Sequence, residues 1–378
     1  MVLCKVLIQT RNMYCLPKCL SAVKNISRVA RQNHRHIQTH AHGRSLSLTF
    51  AEHGDPVKVM EMRETELPVL KKDEVLIKMM AAPINPADIN TIQGVYPIKP
   101  HLPAVAGNEG VGKVVDLGAD ASNLLLGDWV IPASAASGTW CTYMIQKEKD
   151  LLQVPSNLPL IDAAVLAVNP CTAYRLLADF EDLQPGDTVI QNGANSGVGL
   201  AVIQLAAQRG ISTINIIRAR PEGHDETVKD LLSYGATHVI TEEFVRKPEM
   251  LALIKSIPKA KLALNCVGGK NSAELLKHLA KGGTMVTYGG MSKKPMMVPA
   301  GPLIFNDVKL RGFWMTSWNQ KFQDKPERGE LISIISTMIS AGTLKHPPVR
   351  LVPLVQFKDA LVRATEGFTK KQVLIMEE

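Results

Sequence analysis

No aspartate or glutamate occurs before Glu52, while Lys5, Arg11, Lys18, Lys24, Arg28, Arg31, Arg35 and Arg44 supply eight positive charges over the same stretch. The 378-residue chain carries 43 Lys and Arg against 35 Asp and Glu, so the net +8 resides in this leader and the remainder is neutral. A neutral body excludes the pervasive basicity of a nucleic-acid-binding domain. The acid-free leader, rich in Arg, Lys, Ser, Asn and His, is what mitochondrial import requires, and Val2–Ile8 is too short an apolar core for a secretory signal. The expectation is a transit peptide over residues 1–43, cut before the strand at Leu46–Phe50, and a folded protein in the mitochondrial matrix. A basic arm for nucleic acid is the alternative.

Other absences narrow the field. No uninterrupted apolar run is long enough to span a bilayer. Of six cysteines, Cys4, Cys15 and Cys19 fall in the leader; Cys141, Cys171 and Cys266 are scattered and form no Cys-x-x-Cys. That excludes a disulfide framework and a cysteine zinc site, and no metal is expected. There is no internal repeat and no low-complexity tract.

What is present is organised around Asp187–Arg220. Thr188-Val189-Ile190 suits a strand buried on both faces. A glycine-rich turn follows, with Gly193, Gly197 and Gly199. Val198, Ala201, Val202, Leu205, Ala206 and Arg209 then recur at helical spacing, Gly210 ends the helix, and Ser212–Ile217 reads as a second strand. This βαβ pattern carries a dinucleotide pyrophosphate on a helix N-terminus, although the glycine spacing departs from G-x-G-x-x-G. The acidic residue that would bind an NAD ribose at the end of the second strand is missing. Arg218-Ala219-Arg220 stands there instead, and guanidinium groups suit the 2′-phosphate of NADPH. A solvated basic turn is the plainer alternative.

Before this unit, short strands at Leu46–Phe50 and Glu74–Ala82, with Gly and Pro turns between, indicate a β-rich domain. After Asn169-Pro170, read as helix N-cap and first helical residue, the pattern alternates. Strands are expected at His238–Thr241, Leu262–Val267, Thr284–Tyr288 and Val308–Trp314, with helices near Glu226–Tyr234, Ala273–Ala280 and Gly329–Ile339. The fold class is therefore α/β, a Rossmann doubly wound parallel sheet plus a β-rich domain, with a closing strand Gln372–Met376 that returns to the first domain.

Asn85-Pro86-Ala87-Asp88, the Gly127-Asp128-Trp129-Val130 turn and Pro185-Gly186-Asp187 in this setting resemble the medium-chain dehydrogenase/reductase superfamily. The resemblance covers nearly everything from Leu46 onward. Gly107-Asn108-Glu109 stands where zinc alcohol dehydrogenases of that superfamily carry Gly-His-Glu, which removes a metal ligand and implies a zinc-free member. Further stretches, among them Ile92–Tyr96, Val168–Arg175, Asn195–Gly199, Leu264–Gly269, Gly283–Met291 and Leu310–Trp314, are similar to mitochondrial trans-2-enoyl-thioester reductases. The resemblance implies a GroES-like β-rich domain over 44–168 and 346–378 and a Rossmann domain over 169–345. It also implies NADPH, an enoyl-CoA or acyl-carrier-protein-bound enoyl substrate, and a homodimer.

Reducing an enoyl thioester needs a hydride at Cβ and a proton at Cα. Phenols, with an ordinary pKa of about 10, are protonated at neutral pH and can donate. The resemblance assigns the donor to Tyr96; a packing aromatic beside Pro97 is the alternative. It assigns cofactor contacts to Asn169, Asn195, Ser196, Gly197, Val198, Arg218, Ala219, Arg220, Tyr288, Gly289, Gly290, Met291, Phe313, Trp314, Met315 and Lys371. For Phe313 and Met315 core packing is the alternative, and for Lys371 a solvated charge. A zinc-free quinone or alkenal reductase, or a catalytically silent NADPH-binding protein, are the other functions compatible with these residues.

Overall fold

Eight strands precede the alternating region in the computed structural model: β1 (Arg44–Phe50), β2 (Met60–Glu66), β3 (Glu74–Pro83), β4 (Ala104–Val105), β5 (Val111–Leu117), β6 (Trp129–Pro132), β7 (Tyr143–Lys147) and β8 (Leu151–Val154). Six follow in the alternating region: β9 (Thr188–Asn192), β10 (Ser212–Ile217), β11 (His238–Thr241), β12 (Ala260–Asn265), β13 (Leu279–Thr287) and β14 (Lys309–Gly312). Two close the chain, β15 (Val349–Pro353) and β16 (Lys371–Ile375). The structure describes residues 43–220, 223–366 and 370–376, so the expected leader up to residue 42 lies outside the described residues.

The six-stranded sheet runs in the order β11-β10-β9-β12-β13-β14, parallel throughout. Counted from β9, the order is 3-2-1-4-5-6, the doubly wound arrangement expected from the sequence. β9 is buried at all five positions because helices cover both faces of a parallel sheet. The order reverses between β9 and β12, and their carboxyl ends open the crevice where such sheets bind ligands. β10 matches the expected span, while β14 stops two residues short of it. Phe313 N–H makes the last bond, to Thr287 O at 3.0 Å, and Trp314 then caps the helix Met315–Lys321, which the sequence reading did not include.

The seven-stranded sheet runs β15-β16-β3-β5-β6-β8, with β7 also pairing β3. β16 lies antiparallel to β3, so the end of the chain does return to the strands of its first third. A smaller sheet, β2-β1-β4, packs its Leu48, Phe50 and Met60 into the same core as Met79, Trp140 and Leu374. Another core joins the two regions, from Ala81, Val111 and Val373 through Leu176 and Val202 to Leu331 and Ile335. Cys141, Cys171 and Cys266 are free and buried.

One local expectation is corrected. Asn169 is the first residue of the helix Asn169–Ala178, and Val168, already in right-handed helical conformation, takes the capping position without a side-chain bond. The preceding turns coil directly into the helix, which leaves the Asn169 side chain for other contacts.

Candidate active site

The pyrophosphate turn is built by steric necessity. A Cβ on Gly199 would come within 2.4 Å of Ala194 O, and one on Gly197 within 2.0 Å of Asn169 Oδ1. Ser196 caps the helix Gly197–Gln208, its Oγ accepting from Gly199 N–H at 3.1 Å. The first N–H groups of this helix face the turn, where an anion can accept from them. Asn195, Ser196, Gly197 and Val198 thus share one turn, as expected. Arg218 and Ala219 are exposed and Arg220 is half-buried, directly beyond the end of β10.

The carboxyl ends of β9, β12 and β13 are tied together by buried amides. Asn192 Nδ2 donates to Asn265 Oδ1 at 2.8 Å, Asn192 Oδ1 accepts from Cys266 N–H at 2.8 Å, and Asn265 Nδ2 donates to Thr287 Oγ1 at 3.1 Å. Tyr288 follows, its N–H bonded to Asn265 O at 3.0 Å. The Tyr288 hydroxyl is buried with no hydrogen-bond partner among the described residues, and that burial, reinforced by the Cys266 thiol, raises its pKa well above the ordinary value. Gly289 passes close to Cys266, Gly290 faces open space, and Met291 is 59% exposed, so Tyr288–Met291 form one lip of the crevice.

The expected proton donor, Tyr96, is held by its own loop and by the residue two beyond the end of β14. Val95 and Tyr96 both give their N–H to Asn90 O, at 3.0 and 3.2 Å, which folds their loop back over the helix Pro86–Ile92. The Tyr96 hydroxyl accepts from Trp314 Nε1 at 2.7 Å, with the two rings edge to face at 5.9 Å. Of the three residues at the end of β14, Trp314 alone makes this contact. Phe313 stacks edge-on against Phe180 at 6.0 Å, and Met315, 8% exposed, belongs to the core. Packing therefore accounts for the side chains of those two.

Lys371 is half-buried at the start of β16. Its Nζ donates to Asn85 Oδ1 at 2.5 Å and to Asn169 Oδ1 at 3.4 Å. Burial lowers its pKa, with Glu109 and Asp88 opposing. These carboxyls are themselves buried: desolvation pushes Glu109 up to about 7 and Asp88 up to about 6, against the pull of Lys371 and of several hydrogen bonds. The sequence reading missed this group. Its one visible signal was a pair of polar residues, Asn108-Glu109, in the otherwise small and apolar run Pro103–Val111.

The residues do not fit zinc. Asn108 donates through its backbone N–H and its Nδ2 to Asp88 Oδ1, at 2.9 and 2.5 Å, and accepts from Ala136 N–H, so its polar atoms are already engaged. No cluster of three His, Cys, Asp or Glu that could hold a metal occurs among the described residues. NADPH does fit: a glycine cradle closed to any Cβ faces a helix N-terminus, and two arginines stand at the strand end beside it.

Known proteins resemble this chain over most of its length. The family model described as an alcohol dehydrogenase GroES-like domain matches residues 71–156, and one described as a zinc-binding dehydrogenase matches 197–328. A human protein named mitochondrial enoyl-acyl-carrier-protein reductase is 53% identical over 332 residues, covering 87% of this chain and 88% of the relative. Among solved structures, the mitochondrial 2-enoyl thioester reductase Etr1p/Etr2p heterodimer of Candida tropicalis superposes with a TM-score of 0.82 at 33% identity, covering 88% of this chain and 100% of the other. A complex of Etr1p with NADP and crotonyl-CoA gives 0.83 at 33% identity and the same coverage.

Proposed function

The chain belongs to the mitochondrial enoyl-acyl-carrier-protein reductases, within the medium-chain dehydrogenase/reductase superfamily, and from that premise we propose how its residues divide the work. It is an NADPH-dependent oxidoreductase that converts trans-2-enoyl thioesters to saturated acyl thioesters in mitochondrial fatty acid synthesis. Residues 44–168 with 346–378 form the β-rich domain, 169–345 the cofactor domain, and 1–43 the transit peptide to the matrix.

Bound NADPH supplies the hydride for Cβ of the substrate. Asn195, Ser196, Gly197 and Val198 hold its pyrophosphate, Arg218, Ala219 and Arg220 its 2′-phosphate, and Asn169 and Lys371 flank the turn from the other side. Tyr288, Gly289, Gly290 and Met291 line one lip, with Phe313, Trp314 and Met315 at the end of the neighbouring strand. Negative charge arriving on the thioester oxygen and Cα needs a proton before the enolate reverts. Tyr96 is the donor, delivering the proton of its hydroxyl to Cα. The hydrogen bond from Trp314 Nε1 to Tyr96 carries this reading. It occupies a lone pair of the phenolic oxygen, leaves the O–H proton to point elsewhere, and stays in place to stabilise the phenolate. The carrier is coenzyme A or acyl carrier protein, and the working form is a homodimer. No helix among the described residues is long and apolar enough to cross a membrane.

The test compares NADPH oxidation by wild type and Tyr96→Phe on trans-2-enoyl-CoA and on a panel of quinones. Loss of a positioned acid should lower kcat on enoyl-CoA by about 10²–10⁴-fold, with NADPH affinity intact. A wild-type kcat in the folded variant would remove Tyr96 from the mechanism, and a wild type faster on quinones than on enoyl-CoA would reassign the substrate.

A further inference from the structure

Beside the cofactor turn lies a buried polar group that the reaction as derived does not use. Glu109 is 2% exposed and Asp88 1%. Asp88 is satisfied within its own corner, accepting from Asn85 N–H at 2.7 Å and from both Asn108 donors. Glu109 reaches further. Its Oε2 accepts from Asn85 Nδ2 at 2.8 Å, and the other end of that amide, Asn85 Oδ1, accepts from Lys371 Nζ at 2.5 Å. Its Oε1 accepts at 2.7 Å from the N–H of Val168, the residue before Asn169. Lys371 and Asn169 meet at 3.4 Å, and Asn169 Oδ1 occupies the space a side chain on Gly197 would take.

One carboxylate thus supports, through a single intermediary on each side, the two residues that flank the pyrophosphate turn. We propose that Glu109 is a positioning residue for NADPH: through Asn85 it fixes Lys371, and through Val168 it fixes Asn169, against the N-terminus of the helix Gly197–Gln208. The proposal rests on the assignment of Asn169 and Lys371 to the cofactor. Electrostatics points the same way, since burial favours the neutral form of Lys371 while Glu109 and Asp88 favour the ammonium that an anionic dinucleotide requires.

Charge and position make opposite demands, which makes the test decisive. Removing a carboxylate near an anion tightens binding if charge alone matters; releasing Lys371 and Asn169 weakens it. In Glu109→Gln the Kd and KM for NADPH should rise about tenfold, the loss of one hydrogen bond to a charged group. The kcat at saturating NADPH should be nearly unchanged, and so should the affinity for 2′-AMP, which carries the 2′-phosphate but no pyrophosphate. Tighter or unchanged NADPH binding overturns the proposal. Parallel weakening of both ligands, the mark of a loosened fold, overturns it too. Lys371→Met and Asn169→Ala are measured alongside. Unchanged NADPH affinity in both overturns the underlying assignment and the proposal with it; weakened affinity in both, with wild-type binding in Glu109→Gln, overturns the proposal alone. If Glu109→Gln fails to fold, Asn85→Ala cuts the relay to Lys371 while keeping both charges, and the same NADPH to 2′-AMP comparison decides.

Discussion

Tyr96 and Trp314 are 218 positions apart and joined by a 2.7 Å hydrogen bond, on which the proposed proton transfer depends. A tryptophan ring could serve as mere packing, but its Nε1–H donates to the phenolic oxygen that carries the charge in the proposed mechanism. Trp314→Phe keeps an aromatic ring and deletes the donor. Its kcat on enoyl-CoA should fall about 10–100-fold, as expected for a hydrogen bond to a developing charge. Steady-state rates with the NADPH Kd measured in parallel check this, and an unchanged kcat would make the indole a spacer. A second residue-scale prediction concerns Glu109 and Asp88. Burial raises them to about 7 from 4.5 and to about 6 from 3.8. Both therefore hold a proton more tightly folded than unfolded, and stability from this source is present at the acid end and declines as pH rises through that window. The other groups facing Glu109 are Lys371, which opposes the shift, and the Cys171 thiol, which stays protonated throughout. Thermal melts between pH 5 and 8 should show this decline in wild type and a smaller one in Glu109→Gln; identical slopes would mean Glu109 does not titrate there.

At the scale of elements, the unit β9, glycine turn, helix Gly197–Gln208 and β10 presents helix N–H groups and arginines side by side at the carboxyl end of the sheet, for two separate tasks in the proposed site. The tasks can be separated by mutation. Arg218→Ala with Arg220→Ala should weaken NADPH by about 1.5–3 kcal/mol, the range for hydrogen bonds between charged partners, and leave NADH binding nearly unchanged. Fluorescence titration with both dinucleotides measures it, and equal losses would move the 2′-phosphate site elsewhere. This unit was legible in the sequence because its determinants are local: β-branched residues fill β10, and helical periodicity runs from Val198 to Arg209. β2 was not legible, since only Met60 of Met60–Glu66 is buried and an edge strand with Glu and Arg outward leaves no apolar alternation to read. The relay through Glu109 was illegible for a different reason. Asn85, Glu109, Val168 and Lys371 meet only because β16 returns to β3, and no spacing in one sequence encodes such a meeting. Asn169 fell between the two cases: its place at a helix start was readable, but a cap role needs a non-helical backbone at Asn169 itself, and here the chain is already helical from Val168.

For the molecule as a whole, the exposed surface at the end of the parallel sheet bears on assembly. All four residues of β14 are exposed, and the helix before it, Ala300–Asn306, presents Leu303, Ile304 at 70% and Phe305 at 77% exposure. An unpaired edge beside an apolar helix is a surface that a second copy can cover, and pairing about a twofold axis consumes both edges and stops at two. Lys309 and Arg311 on the strand itself disfavour indiscriminate edge pairing. The residues proposed for catalysis and NADPH all come from one chain and lie on the carboxyl side of the sheet, so assembly and chemistry are separable in principle. Ile304→Glu with Phe305→Glu places two charges on the apolar face without touching the core. Light scattering after size exclusion should report a dimer for wild type and a monomer for this variant, and NADPH affinity by titration should be retained because the nucleotide unit is intact. A dimer that survives both charges would show that the contact between copies uses another face, while a monomeric variant that has also lost NADPH would tie the cofactor site to the partner chain.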